Sequence, residues 1–447
     1  MGVRNDMTEL RNARYLSVHD LRRRINEGDV DTVIVAFTDL QGRLQGERVH
    51  ATYFAEHVLD QGLPAPGYLL AVDLDMNIAD PDGLVAEQTD QGMTLALDLE
   101  TIRLLQHQPG AALVQCDFVG LDRTPIVQSP RAILTQQLKV AASRGYHVLA
   151  STELEFMIFN NTYVEARNAH YRDLAAATPY NADYSIVAGS RIEPLLRTIR
   201  NTAYAAGIDV RTIKARRHPG QHGISLGYQD ALATADDHAV FKTMAKEIAA
   251  QHGKSITFMA SYAEQQGNAC HVRLSLQSDS GSAALWNDGE RRKLHDSFVA
   301  GLLATVDDFT LLYAPNINSY KRPGSDDRAA VVRRVTDDSA PSVENRLSGA
   351  DVNPYLALAA MIAGGLYGID HDLELGPPPT RRVGSAELER IPDTLRAARQ
   401  AFGSSQIARA AFGDEVVDHY AAMADAELAA FDAVVTDWEI RRGFERM

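Results

Sequence analysis

The chain has 447 residues, enough for two domains or one large one, and its 45% hydrophobic and 23% charged residues are the balance of an ordinary soluble protein. A formal net charge of −15 argues against general nucleic-acid binding, which needs a basic surface, and no apolar run reaches membrane length. Two cysteines, Cys116 and Cys270, give no disulfide framework and suit a reducing cytoplasm, and the N-terminus lacks the basic-then-apolar plan of a signal peptide.

Taken in chain order, Met1 to Tyr15 is polar and predicts a loose leader. Ser17 followed by Asp20 reads as an N-cap with a first-turn acid, opening a helix through Ile25. Asp31 to Asp39 predicts a strand, with a turn at Gln41-Gly42 and a second strand from about Arg43. Apolar segments punctuated by Gly and Pro continue to about Val127, which predicts a small sheet-rich N-terminal domain over residues 16–127. Ser129-Pro130 then opens a helix, with Pro at its favoured first position. Residues 128–447 read as one large domain in which helices and strands alternate. Strands are expected at Tyr146–Asn160, Asp209–Lys214, Ile224–Tyr228, Ser255–Tyr262 and Ala269–Leu276. Helices are expected at Arg191–Ala206, Asp236–His252, Glu290–Leu312 and Pro354–Tyr367, the last capped by Asn353. After a loop at Gly376 to Pro379 the chain reads as helical to its end, so the fold class is α+β, antiparallel strands with helices outside.

The stretch Tyr146 to Asn160 carries the first chemical signal. Strand alternation puts Glu153 and Glu155 on one face, roughly 6–7 Å apart, and sends Leu154 and Phe156 to the other. Two neighbouring carboxylates in an apolar strand repel and are costly to desolvate unless a cation lies between them, and a hard dication such as Mg²⁺ or Mn²⁺ is the usual one. A solvated strand face with surface salt bridges accounts for the same pattern, and the strand alone does not decide between the two readings.

Further segments carry a resemblance. Glu153-Leu154-Glu155-Phe156, Gly267-Asn268-Ala269-Cys270-His271, Asn318-Ser319-Tyr320-Lys321-Arg322, Glu344-Asn345-Arg346 and Asn353-Pro354-Tyr355 occur in the order seen in the glutamine synthetase family. The likeness begins at Phe37 to Arg43 and runs to Gly443-Phe444-Glu445-Arg446, and it looks closest to the class-I-like branch that includes γ-glutamyl-amine and polyamine ligases. The resemblance implies a small β-grasp-like N-terminal domain, a large catalytic domain, hexameric rings paired into dodecamers, and an active site between neighbouring subunits. It implies ATP and divalent metal as cofactors, and a reaction in which an acid's carboxylate takes the γ-phosphate of ATP and the acyl phosphate is aminolysed. An anionic acid must there approach an anionic triphosphate, so cations have to neutralise both.

Carried over by position, the resemblance makes Glu153, His271 and Glu344 the ligands of the nucleotide's metal and Glu155 a ligand of a second. Ser275 and Arg333 fall on the nucleotide side, and Arg328 and Arg346 in the phosphate and substrate region. Arg322 and the backbone of Gly267 match groups that hold the acid, and Asp39 the acid that a neighbouring subunit lends to the amine site. The pattern is broken at the second metal, where neither of the two further expected carboxylates is present. Ala215 or Arg216, depending on a one-residue shift in register, stands at the first position, and Gly223 at the second. Arg216 or Arg217 is then a candidate to place a guanidinium beside Glu155, while His218 and His222 read as exposed turn histidines or as nitrogen ligands for a softer metal. The segment between Arg322 and Glu344 is also short, Arg273 stands two residues after His271 where a second histidine is common, and Gln266 replaces an asparagine or acid before Gly267. Two functions follow: a ligase that joins the γ-carboxyl of glutamate or a similar acid to an amine other than ammonia, or an altered family member that binds ligand as a regulatory or partner subunit.

Overall fold

The computed structural model describes residues 15–79, 92–278, 282–284, 289–322, 331–335, 342–376 and 391–447. Ser17 opens the first helix, Val18–Glu27: its side chain accepts the Asp20 N–H, and Gly28 ends the helix at φ 81°. Tyr15 is anchored, not loose, with its ring 4.9 Å from the Arg103 guanidinium and its hydroxyl donating to Asp237 at 3.4 Å; residues 1–14 of the expected leader lie outside the described residues.

Five strands form the first sheet: β1 (Thr32–Thr38), β2 (Leu44–His50), β3 (Leu63–Ala65), β4 (Met93–Leu104) and β5 (Ala111–Val119). Their order is β2-β1-β5-β4-β3, with β1 and β5 parallel and the other neighbours antiparallel. The helix Pro130–Ser143, with Pro at its start, leads into β6 (Tyr146–Phe159), the spine of the second sheet. The remaining strands are β7 (Val210–Ala215), β8 (Gln221–Leu226), β9 (Gln229–Asp230), β10 (Ser255–Thr257), β11 (Ser261–Ala263), β12 (Gln266–Gly267), β13 (Cys270–Ser278), β14 (Val332–Val335) and β15 (Ser342–Asn345). The second sheet runs β14-β15-β13-β6-β8-β7, with β9 and β10 also paired to β6, and every one of these pairings is antiparallel.

Two expected elements are divided. The strand expected over Ser255–Tyr262 is β10 and β11, because β10 pairs with β6 whereas β11 turns away to pair with β12. The long helix expected over Glu290–Leu312 is Gly289–Ala304 followed by Val306–Tyr313. The break falls at Thr305, whose hydroxyl donates back to the Gly301 carbonyl at 2.9 Å, a local bond that competes with a straight helix.

The helix Pro354–Asp370 is buried along nearly its whole length. Asn353 caps it by accepting the Tyr355 N–H at 3.1 Å, and the same side chain donates to the carbonyls of Asp39 and Leu40, each at 3.1 Å. One amide therefore starts this helix and fastens the β1–β2 hairpin to the larger sheet.

Candidate active site

The chemistry gathers on one face of the second sheet. β13 pairs with β6 so that His271 lies directly opposite Glu153, and with β15 so that Arg273 lies opposite Glu344. Period-2 alternation keeps Glu153 and Glu155 on a common face, and His271 and Arg273 on a common face. The ligand atoms of Glu153, His271 and Glu344 come within 4.8 Å of one another. Glu344 is fully buried and its Oε1 accepts no hydrogen bond, with the Arg346 Nε the nearest cation at 3.6 Å. A buried carboxylate oxygen without a hydrogen-bond donor is costly, and an ion bound between these three side chains would offset that cost. Two carboxylates and an imidazole make a donor set that fits Mg²⁺ or Mn²⁺.

Guanidinium groups bracket the triad. Arg273 donates from Nε to Glu344 Oε2 at 2.7 Å and from Nη2 to Glu153 Oε2 at 3.4 Å. Arg216, the first residue after β7, contacts Glu153 through Nη2 and lies 3.4 Å from Glu155 Oε1 through Nε. Burial pushes the His271 imidazole down to about 4, against the raising influence of Glu344, so at neutral pH its lone pair is free for a metal. Burial pushes the Glu155 carboxyl up, opposed by the Ala269 N–H and by the charges of Arg322 and Arg346. Arg322 is half-buried, and desolvation lowers its pKa; its Nη2 donates to the carbonyls of Arg346 at 3.2 Å and Leu347 at 2.5 Å, and its Nε makes no hydrogen bond.

The other expected site residues fall as follows. The Gly267 carbonyl accepts from Gln221 Nε2 at 2.8 Å, beside Glu155. Ser275 is buried on β13, four residues beyond His271 and so on the same face of the strand. Arg333 on β14 lies opposite Glu344 and is exposed. Asp39 is not brought to this centre within the chain. Its carboxylate is held in its own hairpin by the N–H groups of Gln41 and Arg43 at 3.1 and 2.8 Å and by Arg43 Nε at 2.6 Å. Arg328 lies outside the described residues.

Of the two arginines named for the turn, Arg216 is the one at the site, while Arg217 is 83% exposed and faces Asp183 at 4.0 Å. Reading His222 as an exposed turn residue is wrong. It is fully buried on β8 opposite Phe156, on the face away from Glu155, with Nδ1 3.1 Å from the Gly220 carbonyl, because the turn is shorter than its composition suggests and β8 already begins at Gln221. Sequence reasoning noted Arg273 as a departure two residues after His271 but gave it no role, and it missed Gln221 as a member of the site. Alternation from His271 was signal enough for Arg273; nothing in the sequence marks the Gln221 side chain, which reaches Glu155, Gly267 and Asn268 together.

Residues 127–443 match the family model described as the glutamine synthetase catalytic domain. The chain is 46% identical to the γ-glutamylethanolamide synthetase of Streptomyces coelicolor, over 97% of this chain and 96% of that protein. It is 33% identical to the glutamate–isopropylamine ligase of a Pseudomonas species, over 98% of this chain and 99% of that protein. A solved ligand-free structure of GmaS superposes with a TM-score of 0.82 at 26% identity, covering 96% of this chain and all of the other. With the metal-fit triad on the central sheet and a match to most of the chain, this protein belongs to the glutamine synthetase family.

Proposed function

We propose that the protein is an ATP-dependent ligase joining the γ-carboxyl of glutamate, or a similar acid, to a primary amine other than ammonia through an acyl phosphate. The observation that carries this reading is the 46% identity, end to end, to a γ-glutamylethanolamide synthetase. It is supported by the intact Glu153, His271 and Glu344 cluster and the flanking arginines. In the reaction a carboxylate oxygen attacks the γ-phosphorus and the bond to ADP breaks; the neutral amine nitrogen then attacks the acyl carbon and gives up a proton, and inorganic phosphate leaves with the electron pair of the C–O bond. One Mg²⁺ or Mn²⁺ held by the three ligands would supply neutralisation of the phosphate oxygens. Arg346, beside the buried Glu344, and Arg333, across from it on β14, are placed to hold anionic groups at the same face. The catalytic unit in this reading is residues 128–447, with 16–127 as the N-terminal unit.

The test is ADP release, with mass-spectrometric identification of the product, using glutamate, ATP and Mg²⁺ against ammonia, ethanolamine, isopropylamine and putrescine. A small primary amine should be used at least about tenfold better than ammonia, a difference that one or two pocket contacts suffice to create. Equal or better use of ammonia, or no ADP with any amine, contradicts the reading. Hexameric rings, paired into dodecamers, belong to the same proposal. Val435, Trp438 and Phe444 of the C-terminal segment stand exposed in the single chain, as expected of side chains that a second copy covers. In such a ring Asp39 is the acid that a neighbour lends to the amine site. Light scattering should give a multiple of six subunits, and a monomer at micromolar concentration would contradict it.

A further inference from the structure

Both oxygens of Glu155 have close neighbours, one through hydrogen bonds and the other through an ion pair. Its Oε2 accepts the Ala269 N–H at 2.8 Å and the Gln221 amide at 3.1 Å, while Oε1 faces Arg216 Nε at 3.4 Å. The residue opposite Glu155 across the β6–β8 pairing is Gly223, and a Cβ added there would meet Arg216 Nε at 2.6 Å and Nη2 at 3.0 Å. The guanidinium thus lies over Gly223, and a side chain at 223 would require it to shift. Among the described residues, Glu153, His271 and Glu344 are the one group of carboxylates, imidazoles and thiols disposed to hold an ion. A second dication beside Glu155 would find a single carboxylate, already hydrogen-bonded, and a fixed positive charge in contact. The residues present do not fit a second ion.

We propose that this is a one-ion centre in which Arg216, seated over Gly223, permanently takes the place of a second cation beside Glu153 and Glu155. The Arg216 Nε is buried and makes no hydrogen bond; its nearest acidic atom on Glu155 is Oε1 at 3.4 Å, so it meets that carboxylate as a charge rather than as a hydrogen-bond donor. A covalently held cation does not dissociate, so the positive charge at this point is independent of metal concentration. That the site handles an anionic acid and a phosphoryl group rests on the ligase reading above; the count of ions does not.

The test uses the full-length protein and Mn²⁺ alone, with bound ion counted by electron paramagnetic resonance. Wild type should bind one tight ion per chain, and Arg216→Ala combined with Gly223→Glu should bind two. Two comparable ions in wild type, or a folded double variant that still takes one, overturns the proposal. A thermal measurement covers the case in which the double variant fails to fold. Arg216→Ala should lower Tm by several degrees, and adding Glu155→Gln should recover at least half of that loss. If Arg216→Ala leaves Tm unchanged, or Glu155→Gln recovers nothing, Arg216 does not neutralise Glu155 and the proposal falls. None of these readouts needs turnover, so a protein that ligates no amine but binds ions in this way refutes the function and leaves the one-ion centre standing.

Discussion

Buried arginines at the seam between the sheets and half-buried ones at the active-site face are treated in opposite ways. At the seam between the sheets, Arg131 donates to Asp236 through Nε and Nη2, both at 3.1 Å, and to Asp98 and Asp117 at 2.6 Å each. Nearby, Arg103 donates to Asp237 at 2.7 Å, and Gln229 satisfies the other Asp237 oxygen at 2.6 Å. Burial works against the charge of both arginines, yet the facing carboxylates outweigh it and hold both pKa values above the ordinary one. At the active-site face the same residue types are left incomplete: Arg216 Nε, Arg322 Nε and Glu344 Oε1 are buried without a hydrogen bond, and burial wins at Arg322 and lowers its pKa. Saturated charges hold the fold together; unsaturated ones are the places at which an ion or an anionic substrate gains something by binding.

The contrast can be broken by mutation. Arg131→Met should have the largest effect on stability, because it strands several carboxylates at the seam. Removing one partner of such a buried network costs about 3–5 kcal/mol, readable as a fall in the urea midpoint. A loss under ~1 kcal/mol would show that the seam tolerates unpaired charge as the active site does. Glu344→Gln should behave in the opposite sense. Mn²⁺ affinity should drop by more than the ~10–100-fold typical of losing an outer-sphere partner, while stability stays within ~1 kcal/mol of wild type or rises. Marked unfolding of this variant would mean that the carboxylate is structural.

A pH titration sharpens the comparison at a third kind of site. Burial pushes His222 down to about 4 although the Gly220 carbonyl favours its protonated form, and its Nε2 has no partner. Its folded pKa is depressed below the unfolded value of about 6.5, so its contribution to stability is present above pH ~6.5 and is lost as pH falls toward ~4. At most about 3 kcal/mol is at stake. His222→Phe should flatten that part of the stability profile, and an unchanged profile would place the acid sensitivity elsewhere. The smallest effect is expected for Arg217→Ala: an exposed residue next to a functional one should change stability by less than ~0.5 kcal/mol and leave Mn²⁺ binding unaltered.

The triad was legible because the ordered motifs around Glu153, His271 and Glu344 resemble those of a known family; strand alternation alone gave only the common face of Glu153 and Glu155. Once Glu153 is placed on β6, antiparallel pairing of short strands leaves little freedom for where His271 and Glu344 go. The substitution beside Glu155 was legible as a loss, but not as a geometry. Whether Ala215 or Arg216 faces the site turns on one residue of register at the end of β7, and pattern alone does not resolve a single step at a strand end. The arginine contacts across β13 and the Gln221 fork depend on side-chain directions set by tertiary packing, which no local periodicity encodes. The divided helix at Thr305 was hidden for a related reason, since one hydroxyl turned back onto a carbonyl leaves the apolar pattern on both sides intact.

The glycine under Arg216 also constrains how this site can change over generations. A side chain restored at position 223 while Arg216 is present would collide with its guanidinium at 2.6 Å. Loss of Arg216 while position 223 is still glycine would remove the guanidinium beside Glu155, while Glu153 keeps Arg273 at 3.4 Å. Each single step disturbs a contact that the other position shares, so the two positions are coupled. Positions 216 and 223 are therefore to be varied as a pair, since the effect of a substitution at one depends on the side chain present at the other.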